Sequence, residues 1–106
     1  MSEAFIFQAQ AEFCRTMGNA ARLQILHILR DGPATVKELA RKTGMGQPAV
    51  SRQLSAFRSV GVVASRRNRQ QVLYQLADPR IGEVCDLVRE VLTERILKRS
   101  EILQRG

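Results

Sequence analysis

The segment Gly46–Gly61 constrains the fold most, because it predicts a helix whose polar face has no evident use except against another molecule. At about 100° per residue, one side of this helix is apolar and is expected to pack inward. The opposite side carries hydroxyl groups and one guanidinium, which bond phosphate oxygens or base edges: Ser51, Arg52, Ser55 and Ser59. Gly46 can cap the helix, and Pro48 fits its first turn. The segment is therefore interpreted as a recognition helix.

A second short helix and a tight turn precede the recognition helix. Thr35 and Glu38 form a capping box that opens this helix, which is expected to end near Lys42. The sequence Thr43-Gly-Met-Gly46 then supplies a turn that contains glycine. Two short helices joined in this way, the second with a polar exposed face, indicate a helix-turn-helix motif.

Two further helices are predicted at the start of the chain. Ser2 can cap a first helix with an apolar stripe, and this helix is expected to end at Gly18. Asn19 can cap a second helix over residues 20–30. The apolar side chains of the second helix, Leu23 among them, are expected to be buried. Four consecutive helices therefore precede residue 61.

After the recognition helix the apolar period changes from about 3.6 to about 2, which predicts two short strands over residues 62–65 and 72–76. The intervening segment 66–71 contains three arginines within four residues: Arg66, Arg67 and Arg69. A basic hairpin beside a helix-turn-helix is typical of a wing that lies along the DNA backbone or enters a minor groove. A merely solvated loop is the alternative interpretation.

The last part of the chain predicts a long helix and a dimer interface. Asp78 can cap this helix and Pro79 fits its first position, and its apolar pattern continues to about Leu103. The apolar band is too wide for a helix that covers only a small monomer, so it and the first helix are expected to form a twofold interface.

The predicted fold is thus mainly α with a small β-hairpin, in the order α-α-α-α-β-β-α. It forms one winged helix-turn-helix domain over residues 1–106, with dimerisation helices at both ends.

The charge of the chain favours a polyanionic partner. Its 17 Lys and Arg residues outnumber its 10 Asp and Glu residues, so the net charge is +7 at pH 7. No apolar run approaches the roughly 20 residues of a membrane span, and no signal peptide is apparent. Double-stranded DNA is therefore expected as the partner, rather than a membrane, and the location is expected to be cytoplasmic.

No feature of the sequence predicts an enzyme. The chain has no Cys-x-x-Cys motif, no cysteine with an evident general base and no glycine-rich phosphate loop. No catalytic residue, cofactor or metal site is therefore predicted.

Three segments carry a resemblance to a known family: Asn19–Leu23, Gln47–Leu54, and the wing that leads into Tyr74-Gln-Leu76. In their order and spacing they resemble the ArsR/SmtB family of bacterial transcriptional repressors, over nearly the whole chain. The resemblance implies a dimeric winged helix-turn-helix protein without enzymatic activity. Such a protein occupies an operator and releases it when an inducer alters its helices.

The known sensing sites of that family are largely missing here. Members with thiolates in the third helix carry a cysteine pair near residues 38–41, where this chain has none. In members with a zinc site on the last helix, the ligands correspond to Asp78, Arg80, Val91 and Glu94. Only two of these four can bind a metal. Persulfide-sensing members pair a cysteine near the position of His27 with one far along the last helix, but no cysteine follows Cys85.

Cys14 and Cys85 leave two interpretations open. Each can be a small apolar core residue, as free cysteines often are. Alternatively, the first and last helices pack together in this family, which could place the two thiols near each other within or across subunits. They could then form a disulfide or polysulfide bridge, or bind arsenite, although arsenite needs a further ligand that is not obvious. A thiol switch is therefore favoured over a metalloid sensor.

The predicted function is a dimeric, sequence-specific repressor that thiol chemistry at Cys14 and Cys85 releases from operator DNA. The residues expected in the major groove are Gln47, Ser51, Arg52, Gln53 and Ser55. The residues expected on the backbone or in the minor groove are Arg66, Arg67 and Arg69. An arsenite- or metal-responsive repressor with the same thiols, and a nonspecific architectural DNA-binding protein, are the alternatives.

Overall fold

Five helices and one β-hairpin make up the fold of residues 1–105, which the computed structural model describes. Gly106, the last residue of the predicted domain, lies outside the described residues. The elements are α1 (Glu3–Met17), α2 (Ala20–Leu29), α3 (Val36–Thr43), α4 (Gln47–Ser59), β1 (Val63–Asn68), β2 (Gln71–Leu76) and α5 (Pro79–Arg105). This order confirms the predicted winged helix-turn-helix topology.

The first three helices begin at their predicted caps. The Ser2 hydroxyl accepts a hydrogen bond from the first turn of α1 at 3.2 Å, and the side-chain Oδ1 of Asn19 accepts one from the Ala21 N–H of α2 at 2.9 Å. The Thr35 hydroxyl accepts one from the Glu38 N–H at 3.1 Å. These bonds satisfy N–H groups that have no partner inside their own helices, so the caps determine where each helix begins.

Gly44 makes the turn between α3 and α4 possible. Its φ of 78° is a left-handed conformation that costs glycine little, and its N–H closes α3 by donating to the Ala40 carbonyl at 2.9 Å. Gly46 is extended at the start of α4, and Pro48 lies in the first turn of that helix. The structure therefore confirms the predicted helix-turn-helix.

The hydrophobic core lies between α2, α3, α4 and the base of the hairpin. Its largest fully buried side chains are Phe57, Ile25, Leu26, Leu39, Leu54, Val50 and Val62. Helix α1 contributes no fully buried residue. Burying one such side chain contributes about 1.5–3 kcal/mol, so this core is sufficient to hold α4 in place. The two end helices are left with their apolar residues largely uncovered.

The hairpin is longer than the sequence predicted. Strands β1 and β2 pair antiparallel from Val63 opposite Leu76 to Asn68 opposite Gln71, which leaves only Arg69 and Gln70 in the loop. The predicted tip of residues 66–71 was therefore wrong. Its polar residues show no apolar alternation, and pairing with β2 rather than local pattern extends the strand.

Helix α5 is joined to α2 by a close approach at Gly82. A Cβ atom at this position would lie 3.2 Å from Arg30 Cγ and 3.2 Å from Leu76 Cδ1. Nearby, the Arg30 guanidinium donates to the Asp86 carboxylate at 2.6 Å. Glycine therefore allows the first turns of α5 to pack on α2. No helix within residues 1–105 combines the length and the apolar character needed to cross a membrane.

Apolar side chains remain exposed on α1, α2 and α5. Leu23, which was predicted to be buried, is 45% exposed, because it faces a groove between these helices instead of the core. Other large exposed apolar residues are Phe5, Ile6, Val84, Leu87, Val88, Val91, Leu92, Ile96 and Leu97. Single exposed apolar side chains are ordinary on the surface of a monomer, but this number of them on three helices is not.

Candidate nucleic-acid interface

Helix α4 presents four of the five predicted major-groove residues to solvent. The exposed residues are Gln47, Ser51, Arg52 and Ser55. Within residues 1–105, none of their side chains is held by a hydrogen bond to another part of the protein. On the inner side of the helix, Val50, Leu54 and Phe57 are fully buried. The core therefore fixes the helix while this polar face remains free to bind.

Gln53, the fifth predicted residue, is engaged within the protein. Its side chain is half-buried, and its Oε1 accepts a hydrogen bond from Arg22 Nε at 2.5 Å. On the helix it stands next to the buried residues Val50 and Phe57, three positions before it and four positions after it. The structure therefore does not bring Gln53 onto the free face with the other four residues.

The hairpin carries Arg66, Arg67 and Arg69, and all three are exposed. Arg66 and Arg67 lie in β1, so their side chains leave opposite faces of the hairpin. Arg69 lies at the tip with a φ of 60°, a left-handed conformation that is uncommon for a residue other than glycine. The hairpin thus displays guanidinium groups in several directions beside the recognition helix.

Further exposed basic residues lie on the two helices of the helix-turn-helix and were not predicted as contacts. They are Lys37, Arg41 and Lys42 on α3 and Arg58 on α4. The signal for Arg58 was present in the sequence, because it follows Ser51 by seven positions, about two helical turns, and so shares its side of the helix. In helix-turn-helix proteins the first helix of the motif crosses the DNA backbone. The basic residues of α3 therefore lie on the helix that contacts phosphates in such proteins.

Cys14 and Cys85 line the same groove between α1, α2 and α5, which has a volume of about 470 Å³. The other side chains that line the groove include Met17, Leu23, Leu26, His27, Val88 and Leu92. Cys14 is exposed, whereas Cys85 is half-buried. Burial, and to a smaller extent the neighbouring Asp86 carboxylate, raise the pKa of the Cys85 thiol. The Cys85 thiol is therefore less readily ionised than an ordinary cysteine thiol.

The candidate metal positions show other roles. Asp78 caps α5 by accepting from the Arg80 N–H at 2.9 Å. Its side-chain hydrogen bond to Arg80, and then this backbone bond, lower the pKa of Asp78 to about 2. Among residues 1–105, no three His, Cys, Asp or Glu side chains lie together in a way that could hold a metal ion.

A helix-turn-helix on a buried core, followed by a basic β-hairpin, defines the chain as a winged helix-turn-helix protein. Residues 19–65 match the family model described as bacterial regulatory protein, arsR family. The chain belongs to the ArsR family of bacterial transcriptional regulators, as the similarity of its relatives over most of its length also shows. Its family and relatives are DNA-binding regulators and not enzymes, which confirms that prediction.

Two relatives and one solved structure illustrate the similarity. An uncharacterised HTH-type transcriptional regulator of Mycobacterium tuberculosis is 33% identical over 100 residues, which cover 93% of this chain and 88% of the relative. The biofilm growth-associated repressor of Xylella fastidiosa is 34% identical over 76 residues, covering 72% and 67%. The homodimeric winged helix-turn-helix DNA-binding domain of a possible ArsR-family regulator from Mycobacterium bovis superposes with a TM-score of 0.82. It is 31% identical and covers 91% of each chain.

Proposed function

We propose that this chain is a homodimeric repressor that acts in the cytoplasm and recognises a pseudo-palindromic operator in double-stranded DNA. The observation that carries the proposal is the free polar face of α4, which the buried Val50, Leu54 and Phe57 hold toward solvent. In the proposed complex, α4 lies in the major groove, where Gln47, Ser51, Arg52 and Ser55 contact bases and phosphates. The arginines of β1 and of the hairpin tip contact the backbone or the minor groove.

The proposed dimer forms through α1 and α5, within a single domain over residues 1–106. The large apolar side chains left exposed on these helices support it, for example Ile6 at 44%, Val88 at 54% and Leu92 at 53%. A twofold dimer would present two copies of α4 to two half-sites about one helical turn of DNA apart. The similar domain from Mycobacterium bovis is homodimeric, which supports a dimeric state for this chain.

The test of this proposal begins with the isolation of a preferred duplex from a random-sequence library by the wild-type protein, called here the selected duplex. Its affinity is then compared at fixed salt with that of random duplex of the same length. We expect a preference of about 10³-fold or more. Equal affinities would contradict sequence-specific repression and favour the architectural alternative, for which the net charge of +7 would suffice.

The tip residue Arg69 gives a prediction in which stability and binding change in opposite directions. Arg69→Gly is expected to stabilise the hairpin by about 1 kcal/mol, because glycine adopts a positive φ without the steric cost of a Cβ. The same change removes a guanidinium and should weaken binding to the selected duplex by a few-fold. Thermal unfolding and fluorescence anisotropy measure the two effects.

Arg69→Asn is the matched control for the tip, because asparagine tolerates a positive φ but carries no charge. It should bind DNA as weakly as Arg69→Gly. If both variants bind like the wild type, the tip does not touch DNA.

We also propose that oxidation of Cys14 and Cys85 releases the operator. Cys14 is exposed and so meets an oxidant first, whereas the raised pKa of Cys85 leaves little thiolate there. The Cys14 thiolate attacks peroxide to give a sulfenic acid and hydroxide, and the hydroxide takes up the proton that the thiol released, which gives one water. The Cys85 thiol then loses its proton and attacks the sulfenic sulfur, and the displaced hydroxide takes up that proton to give a second water. Two thiols thereby lose two electrons and two protons, and the peroxide is reduced to two waters.

A bridge between these cysteines would act through the dimer. A disulfide requires Cα atoms about 4.4–6.8 Å apart, so its formation would fix the distance between α1 and α5 at the two cysteines, within or across subunits. Because these are the proposed dimerisation helices, the distance between the two copies of α4 would change.

The expected result is that oxidation weakens binding to the selected duplex by about tenfold or more, within the usual range of allosteric coupling. The affinity is measured at fixed salt for reduced protein and for protein treated with peroxide or polysulfide. The Cys14→Ser/Cys85→Ser variant should not respond. Equal binding by all forms would make both thiols simple packing residues, and release of reduced protein by arsenite alone would favour the metalloid-responsive alternative.

A further inference from the structure

We infer that Arg22 is a positioning residue for the recognition helix and that Gln53 is its partner inside the protein instead of a base-reading group. This inference rests on the proposed contact of α4 with DNA. It goes beyond that contact by assigning roles to two residues that do not lie on the free polar face.

The Arg22 guanidinium joins three helices. It belongs to α2, where its side chain is half-buried. Its Nε donates to Gln53 Oε1 of α4 at 2.5 Å, and its Nη1 donates to the Thr16 carbonyl of α1 at 2.9 Å. A guanidinium suits this role because its donors are fixed in one plane, so both bonds constrain a single rigid group.

The bond to Thr16 fixes the end of α1. Thr16 lies in the last turn of that helix, where carbonyl groups lack partners within the helix and need donors from elsewhere. Because α1 contributes no fully buried side chain to the core, a bond at its end matters more than it would for a well-packed helix. Arg22 therefore links the end of α1 to α2 and, through Gln53, to α4.

The bond to Gln53 fixes the rotation of α4 about its own axis. Gln53 stands on the flank of the helix, next to its buried side and away from the free polar face. The buried residues set which face of α4 points to solvent, and the hydrogen bond adds a directional constraint on the rotation of the helix. A small rotation would move Ser51 and Arg52 relative to the DNA, so the Arg22–Gln53 bond sets how these residues meet the major groove.

The same bond removes Gln53 from one mode of base recognition. A glutamine that reads adenine uses its amide oxygen and its amide N–H₂ together. Here the oxygen is occupied by a charged donor in a half-buried position, where water competes less for the bond. Gln53 therefore does not make that two-bond contact while Arg22 holds it.

A double-mutant comparison tests this inference. Arg22→Met, Gln53→Leu and the double variant are measured by anisotropy against the selected duplex and against a panel in which each base pair of a half-site is substituted. Each single variant should bind about tenfold more weakly. The double variant should bind no more weakly than either single variant, because both remove the same bond. The order of preference across the panel should not change.

Two further variants separate position from charge. Arg22→Lys keeps the charge but cannot hold both acceptors in one plane, so it should behave like Arg22→Met. Arg15→Met removes an exposed arginine from α1 and should bind like the wild type. Circular dichroism reports whether each variant is folded, and if Arg22→Met is not, Gln53→Leu and Arg22→Lys carry the test.

Three results would overturn the inference. These are loss of discrimination at a single base pair in Gln53→Leu alone, additive losses in the double variant, and full affinity of Arg22→Lys. Failure of the proposed function is distinguishable from these, because it would appear first as a wild-type protein that does not prefer the selected duplex.

Discussion

Leu92→Glu is expected to convert the dimer to a monomer and to weaken binding to the selected duplex by about 10³-fold. Leu92 is 53% exposed and lies on α5 among apolar residues, so a carboxylate there would be buried without a partner when two subunits associate. A monomer engages only one half-site, and loss of the second linked contact typically costs a factor of about 10²–10⁴. Sedimentation equilibrium and fluorescence anisotropy measure the two effects.

Lys98→Gln is the matched control for this change, because it alters the net charge by the same single unit on the same helix without placing a carboxylate among apolar side chains. It should remain dimeric. A Leu92→Glu protein that is still a dimer with wild-type affinity would show that α5 does not form the subunit interface.

Arg52→Ala is expected to weaken binding to the selected duplex by about 10–100-fold for each half-site, while random duplex is bound nearly as before. Arg52 is exposed on the free face of α4, and a guanidinium that makes two bonds to guanine contributes about 1–3 kcal/mol of discrimination. The variant should also tolerate substitution of one base pair in each half-site. Anisotropy against the panel of substituted duplexes measures both properties.

Arg52→Lys separates charge from geometry at this position. Lysine keeps the charge but lacks the planar pair of donors, so this variant should retain affinity for random duplex and lose discrimination. Equal losses on selected and random duplex for Arg52→Ala would instead assign Arg52 to the phosphate backbone.

The helix boundaries and the helix-turn-helix were largely predictable because local residues determine them. The caps at Ser2, Asn19 and Thr35 and the glycine turn at Gly44 act within a few positions of themselves. The hairpin was less predictable, because Arg66 and Arg67 join β1 only through pairing with Leu73 and Val72 of β2, and the pattern of their own segment does not show that pairing.

Gln53 shows the limit for the candidate site. Its type and its place beside Arg52 suggest a base contact, but its partner Arg22 comes from another helix 31 positions earlier. The prediction that Leu23 is buried was wrong for a related reason. The helical pattern identifies an apolar face but does not show whether the same chain covers that face. Tertiary partners, and not local patterns, decided both positions.

Nuclear magnetic resonance titration of isotope-labelled protein with the selected duplex tests DNA recognition by α4 and the hairpin most directly. Backbone amide shifts should concentrate in residues 46–59 and 65–70, and they should be small along α5. Shifts confined to α1 and α5, with α4 and the hairpin unchanged, would contradict the proposed interface.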